Sequence, residues 1–349
     1  MPQTPPAVYA VTEKGLHLGR RLADRFGADL FAPKRLAARL GDRLRATGYA
    51  SLGTLVAAQF HTRPAHVFVC ACGIAVRAIA GHLRDKTEDP AVVCVDDAGH
   101  FAISLLSGHL GGANALAREI AAAIGAVPVI TTATDAAGAP AIELLARDLG
   151  LAMDNGEATR RVNAALAGGG PVAVFDPLGV FTVAAPAAAG FFQWVAEPRA
   201  PDPDTPLVVV DWRAGPARPD TVYLRPRVLV AGIGCRRDTP AADILGLVDT
   251  VCRERRLARS AIGLVASIED KRDEPGLLAA AASLGAATRF FPASELATVD
   301  APHPSATVAR HMGVGSVCEA AAILASNGGR LLAPKTRTER STVAICLAG

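Results

Sequence analysis

The chain has 349 residues, half of them hydrophobic and one-fifth charged, with a formal net charge of +3. That length supports two or three domains with full cores, and the near-neutral balance gives no sign of a general nucleic-acid binder. No apolar run is long and unbroken enough to cross a membrane.

In the first third, strands and helices alternate. Strands are expected over 7–11, from 29, and over 67–70, 91–95, 101–105 and 127–130, with helices over 18–26, 73–80 and 114–124. Asp96, Asp97, Ala98 and Gly99 read as a hairpin turn between two of those strands. The alternation predicts a mostly parallel sheet covered by helices, whose ligands bind beyond the carboxyl ends of strands. The turns at 71–73 and 107–109 are both expected at such ends.

Residues 137–226 read differently. Helices over 142–149 and 158–166 precede short strands over 172–175, 181–183, 207–210 and 222–224, separated by Pro-rich connectors such as 198–203. A new start follows, with a strand over 228–235 ending in a glycine turn. After it come helices over 241–253, 276–284 and 317–325, the last opened by Gly313-Val314-Gly315-Ser316. Strands are expected over 262–266, 289–291, 330–333 and 342–347. The fold class is therefore α/β: an N-terminal domain over 1–136 and a C-terminal domain over 227–349, both with mostly parallel sheets. A smaller α+β middle domain over 137–226 joins them.

Seven cysteines, Cys70, Cys72, Cys94, Cys235, Cys252, Cys318 and Cys346, follow an N-terminus with no apolar signal core. A reducing cytoplasm with buried structural thiols is the expectation. The lysines are only Lys14, Lys34, Lys86, Lys271 and Lys335, so the basic residues are mostly Arg. A GC-rich genome gives that bias, and so does a ligand with many carboxylates, onto which Arg forks.

The most informative run is Ser107-Gly108-His109-Leu110-Gly111-Gly112-Ala113-Asn114, between an apolar strand and an Ala-rich helix. Free backbone N–H groups at a helix start favour an anion or a developing oxyanion, and His109 sets a group titrating near neutrality beside them. The same glycines also suit a purely packing role. The later turn Gly232-Ile233-Gly234-Cys235 is not a dinucleotide fingerprint, because the third glycine would fall at Arg237, and no P-loop follows. Arg236, Arg237, Lys271, Ser316 and Lys335 gather on loops of this last domain and suit an anionic ligand.

Taken in order, these stretches resemble the cobalt-precorrin-5A hydrolases of anaerobic cobalamin biosynthesis. The matching runs are Cys72 to Arg77 (C-G-I-A-V-R), Val95 to Gly99 (V-D-D-A-G), Leu105 to Asn114 and Thr131 to Asp135 (T-T-A-T-D). In the last domain they are Gly232 to Arg237 (G-I-G-C-R-R), Ser267 to Lys271 (S-I-E-D-K), Val314 to Ala322 (V-G-S-V-C-E-A-A-A), Pro334-Lys335 and Thr342 to Ala344. Two positions depart from the family pattern: Asp238 stands where glycine is expected, and Glu269 where aspartate is.

The resemblance implies opening of a δ-lactone on a cobalt-bound tetrapyrrole, with loss of acetaldehyde. No cofactor is expected, since cobalt arrives with the substrate, and no metal site. The partner is that tetrapyrrole, with transient contacts to neighbouring corrin-pathway enzymes, and neither nucleic acid nor membrane. On this reading His109 is the general base, with Asp97 and Asp135 orienting it or the water. The N–H groups of Gly111, Gly112 and Ala113 are oxyanion candidates. Arg77, Arg236, Arg237, Lys271 and Lys335 clamp carboxylates, and Ser107, Gly108, Asn114, Gly232, Gly234 and Ser316 complete the binding surface. The contrasting reading is a tetrapyrrole carrier without chemistry.

Overall fold

The computed structural model describes residues 4–40, 45–85, 88–216, 218–303 and 315–349. Gly313, Val314 and Lys86 lie outside them. The chain gathers into two compact units, Met1–Leu144 and Leu145–Gly349.

The first unit holds strands β1 (Ala7–Ala10), β2 (Asp29–Pro33), β3 (Thr47–Tyr49), β4 (Ala65–Val69), β5 (Ala91–Val95), β6 (Phe101–Leu106) and β7 (Val127–Val129). Its helices are α1 (Glu13–Phe26), α2 (Lys34–Leu40), α3 (Leu52–Gln59), α4 (Cys72–Ile79), α5 (Ala113–Ile124) and α6 (Ala133–Ala136), and it includes the start of α7 (Ile142–Asp148). The sheet order is β3-β2-β1-β4-β5-β6-β7. Leu16, Leu18 and Leu22 of α1 and Ile120 of α5 bury one face of it. Val56 of α3 and Ile79 of α4 pack on the other face against Tyr9, Phe31 and Phe68. Helix α1 begins earlier than its apolar stripe suggests, because Thr12 Oγ1 accepts from Gly15 N at 3.0 Å and caps it.

Strand direction corrects one expectation. β1 to β5 are parallel, but the hairpin at 96–99 makes β6 antiparallel to β5, pairing Leu106 with Val92 and Ala102 with Val95. β7 runs parallel to β6. The turn after β6 therefore sits at the edge where β5 begins. The turn after β4 sits at the opposite edge, about 17 Å away along the strands.

The second unit holds two sheets. The middle sheet comprises β8 (Ala152–Asp154), β9 (Ala173–Phe175), β10 (Gln193–Trp194), β11 (Leu207–Val210) and β12 (Thr221–Arg225), in the order β10-β9-β11-β12-β8. All its pairings are parallel except that of β8. With it go α8 (Thr159–Ala167) and α9 (Val180–Ala184). Helix α9 replaces the strand expected over 181–183. Gly179 enters it in the left-handed region (φ 67), and Asp176 Oδ2 accepts from Phe181 N at 2.8 Å. This local capping overrides the β propensity of Val-Phe-Thr-Val.

The last sheet comprises β13 (Leu229–Cys235), β14 (Ile262–Ile268), β15 (Ala287–Phe291), β16 (Arg330–Arg337) and β17 (Ser341–Leu347), in the order β15-β14-β13-β17-β16. The first three are mutually parallel, and β17 runs antiparallel both to β13 and to its hairpin partner β16. Helices α10 (Ala241–Arg255) and α11 (Pro275–Ser283) cover one face, with Ile244, Val248 and Leu277 buried. α12 (Ala293–Leu296) and α13 (Val317–Ala325) cover the other. The two sheets of this unit are joined at Asp154, which accepts from Arg225 Nε and Ser260 Oγ, each at 2.8 Å. Among the described residues no helix is long and apolar enough to cross a membrane.

Candidate functional site

The expected site residues fall at three places, two in the first unit and one in the second.

The first is the loop between β6 and α5. Ser107 takes a left-handed φ of 55, and its buried hydroxyl has no hydrogen-bond partner among the described residues. Gly108 and Gly111 are close-approach positions. A Cβ on Gly108 would lie 2.6 Å from Asn114 Oδ1, and one on Gly111 would lie 2.4 Å from Ser107 Cβ. The loop turns its own donors inward. Gly112 N donates to the His109 carbonyl at 2.9 Å, and Ala113 N to that of Ser107 at 3.1 Å. These two N–H groups are therefore already used, which corrects their assignment as oxyanion donors.

His109 is the centre of an ionic network. Its side chain is 17% exposed; Nδ1 lies 3.0 Å from Glu143 Oε1, and Nε2 lies 3.1 Å from Asp135 Oδ2. Thr134 Oγ1 also lies 3.1 Å from Nε2. Hydrogen bonding to Glu143 is the main reason the pKa of His109 is raised, with Asp135 adding to it against the effect of burial. A carboxylate on each nitrogen favours the imidazolium form, which donates both ways. Asp135 accepts from Asn114 Nδ2 at 2.8 Å, Thr132 Oγ1 at 2.5 Å and Arg118 at 2.5 Å. Burial pushes the Asp135 pKa up, but the bonds from Thr132, Arg118 and His109 outweigh it and hold the carboxyl below its ordinary value. Ser104 Oγ donates to Asn114 Oδ1 at 2.6 Å and ties the network to β6.

The second place is the opposite edge of the same sheet. Asp97 follows β5, and a Cβ on Gly15 of α1 would lie 2.7 Å from its Oδ1. That buried oxygen has no hydrogen-bond partner among the described residues. The Arg77 guanidinium donates to the Gly73 carbonyl within α4 at 3.0 Å. The antiparallel β6 thus keeps Asp97 from orienting His109, which corrects that role. Glu143 occupies the position instead. No local pattern marks it, since it lies 34 residues from His109.

The third place is a cavity of about 510 Å³ in the last domain. Gly234, Arg236, Arg237, Lys271, Ser316 and Lys335 all line it, with Arg337 and Arg340 from the β16–β17 turn. Those two arginines were not expected, although the polar run Thr336 to Arg340 between two apolar strands marks a hairpin. Asp270 and Glu339 are the acids on the wall. Gly232 is not a lining residue. It is buried under α13, where a Cβ would lie 1.9 Å from the Cys318 carbonyl oxygen, so its role is packing. Lys271 Nζ donates to Glu274 Oε2 at 3.0 Å, and Glu274 Oε1 accepts from Asp238 N at 2.7 Å. Asp238 adopts φ 57, a left-handed conformation that favours glycine, in keeping with the expectation of glycine there.

Comparison with known proteins covers nearly the whole chain. Residues 54–135 match a family model described as cobalamin synthesis G N-terminal. Residues 140–226 match the cobalamin biosynthesis central region, and residues 229–346 the cobalamin synthesis G C-terminus. The cobalt-precorrin-5A hydrolase of Priestia megaterium is 31% identical, over 98% of this chain and 94% of its own. The cobalt-precorrin-5A hydrolase of Salmonella typhimurium is 34% identical, over 98% of this chain and 97% of its own. Protein CobE of a Sinorhizobium species is 31% identical over 34% of this chain and 78% of its own. The chain belongs to the cobalt-precorrin-5A hydrolase family.

Proposed function

We propose that this protein hydrolyses cobalt-precorrin-5A, opening the ring A δ-lactone and releasing acetaldehyde to leave cobalt-precorrin-5B. The observation that carries this reading is the match, at both ends and through the middle, to two hydrolases of that name. The basic cavity supports it, because a tetrapyrrole bearing acetate and propionate groups needs several fixed cations.

The chemistry is a hydrolysis followed by carbon–carbon cleavage. Water adds to the lactone carbonyl, and the ring oxygen leaves with the electron pair to become a hydroxyl on the former meso carbon. That hydroxyl loses its proton as the bond from its carbon to the macrocycle breaks. The electron pair passes into the conjugated macrocycle, which takes up a proton. The meso carbon and its methyl depart as acetaldehyde. The macrocycle and its cobalt are the electron sink, so the protein requires no flavin, pyridoxal or metal of its own.

The protein's part is binding and proton transfer. Arg236, Arg237, Lys335, Arg337 and Arg340 hold carboxylates in the cavity. His109 is the base for water, acting at Nε2 once its bond to Asp135 is exchanged for one to the water. Glu143 stays on Nδ1 and fixes the ring. Only the neutral imidazole can act as the base, so the rate rises with pH through the His109 pKa, which lies above the ordinary imidazole value. The test is acetaldehyde release from purified cobalt-precorrin-5A and from its metal-free counterpart. Binding of either compound without acetaldehyde would leave a carrier, not a hydrolase.

A further inference from the structure

The last domain contains a fully buried carboxylate that no step above uses. Glu319, in the first turn of α13, is 0% exposed. An isolated buried carboxylate is costly, so its partners show what it is for. Oε1 accepts from Lys335 N at 2.9 Å and lies 2.8 Å from His303 Nδ1, while Oε2 accepts from His303 N at 2.9 Å. Lys335 Nζ in turn donates to the His303 carbonyl at 2.6 Å. Glu319, His303 and Lys335 form a closed ring on the wall of the cavity.

The strand pairing explains why that ring is needed. On β16, Ala333 pairs with Ile345 and Thr336 with Val343, so Pro334 and Lys335 together face Ala344 alone. This is a β-bulge, a device that re-aims a side chain and leaves backbone groups without strand partners. Pro334 has no N–H to satisfy. Lys335 does, and Glu319 takes it. The bulge sets Lys335 on the cavity wall, and the bond to His303 uses one of its three ammonium donors. The remaining donors can meet a ligand carboxylate.

We propose that Glu319 is a positioning residue for substrate binding: it holds the bulge that presents the Lys335 ammonium to a carboxylate of the tetrapyrrole. The assignment rests on the function proposed above. The backbone N–H groups of Lys335 and His303, with the imidazole, outweigh burial and keep Glu319 ionised, as this task requires.

The test compares the full-length protein with Glu319→Gln, Lys335→Ala and the double variant. It reads kcat and KM for acetaldehyde release and Kd for cobalt-precorrin-5A from its absorption change. An amide at 319 turns a donor toward one of the N–H groups and releases the bulge. Each single variant raises KM and Kd about tenfold, the scale of one charge-assisted contact, with a smaller fall in kcat. Because both act through Lys335, the double variant is no worse than Lys335→Ala by more than about twofold. A folded Glu319→Gln protein with unchanged KM overturns the proposal, and so do effects that multiply in the double variant. If Glu319→Gln does not fold, Glu319→Asp keeps the charge and draws it back by one methylene. It should raise KM by several-fold, and an unchanged value is equally fatal. If the unaltered protein binds the tetrapyrrole but releases no acetaldehyde, the hydrolase reading fails and Kd alone decides the role of Glu319. If it does not bind, both readings fall.

Discussion

The charged clusters around His109 and in the C-terminal cavity are built on opposite plans. Around His109, two cations, His109 and Arg118, meet two carboxylates, Asp135 and Glu143, and their polar neighbours are drawn into the same bonds. On the cavity wall, Arg236, Arg237, Lys271, Lys335, Arg337 and Arg340 outnumber the lining acids Asp270 and Glu339, and among the described residues Lys271 alone of these cations has a carboxylate salt-bridge partner, Glu274. A closed network fixes geometry and protonation state but offers few free donors. A wall with an excess of basic groups does the reverse, since the excess charge is satisfied by what it binds. We therefore assign proton transfer to the first and carboxylate recognition to the second. Substitutions in each should leave different kinetic signatures.

The largest effect is expected at His109. His109→Ala should lower acetaldehyde formation by about a hundredfold or more, the usual scale for losing general catalysis, with little change in Kd. His109→Asn and His109→Gln separate the base from a brace, because an amide can donate to Glu143 but cannot take the proton from water. Near-normal turnover in a folded amide variant would reduce the loop to a scaffold. The pH profile gives an independent reading: a base gives a rate that rises with pH, whereas a required imidazolium gives one that falls.

The cavity should answer in KM. Replacing Arg236 and Arg237 together by Ser should raise KM by roughly ten- to a hundredfold while kcat falls much less, on the scale of one or two charge-assisted contacts. Binding to the unaltered protein should weaken steeply with added salt, because exposed cations are screened. A fall in kcat with constant KM would move these arginines from recognition to chemistry.

A smaller effect is expected on stability. His109 has a raised folded pKa, so its contribution is full below the unfolded value near 6.5 and is lost as pH rises through the folded one. Asp135 has a lowered folded pKa. Its contribution is present above the unfolded value near 3.8 and is lost as pH falls through the folded one. Thermal melts of the unaltered protein and His109→Gln should therefore differ most near pH 5, by ~2–4 °C, and converge in alkaline buffer. A gap that widens with rising pH would mean that the resting ring is neutral.

The contrast between the two clusters was only partly legible in the sequence. The glycine-rich run around His109 is local, and so is the strand-turn-helix pattern that sets it at a sheet edge. The basic residues of the last domain could be grouped because each ends a strand or opens a loop. Glu143 could not be found, because its bond to His109 depends on where α7 lands. The place of Asp97 is hidden for a subtler reason. The hairpin turn at 96–99 was recognisable, yet its consequence is a reversal of strand direction that carries Asp97 and His109 to opposite edges. Gly232 looked like a ligand glycine, but the constraint on it comes from α13, which is distant in sequence. Direction, register and interhelical approach are tertiary facts, and these are where residue patterns fell short.

The smallest expected effect sharpens the cavity's side of the comparison. Asp238 is exposed, stands beside Arg236 and Arg237, and holds φ 57. Asp238→Gly changes two things. The backbone becomes easier, because a left-handed residue with a Cβ is strained by roughly 1–2 kcal/mol, less for Asp than for most. The N–H bond to Glu274 is retained, so the link to Lys271 survives. The variant also removes a negative charge from the rim of a basic site. Exposed charge pairs are worth little and are screened, so tetrapyrrole binding should tighten by less than about threefold in dilute buffer and by nothing measurable in molar salt. Asp238→Asn separates the two effects, since Asn also tolerates the left-handed region but carries no charge. It should reproduce the binding change without the full gain in thermal stability. Binding that tightens in Asp238→Gly but not in Asp238→Asn would trace the effect to the backbone. Loss of binding in both would make Asp238 a ligand contact in its own right, and the cavity would then recognise more than carboxylates.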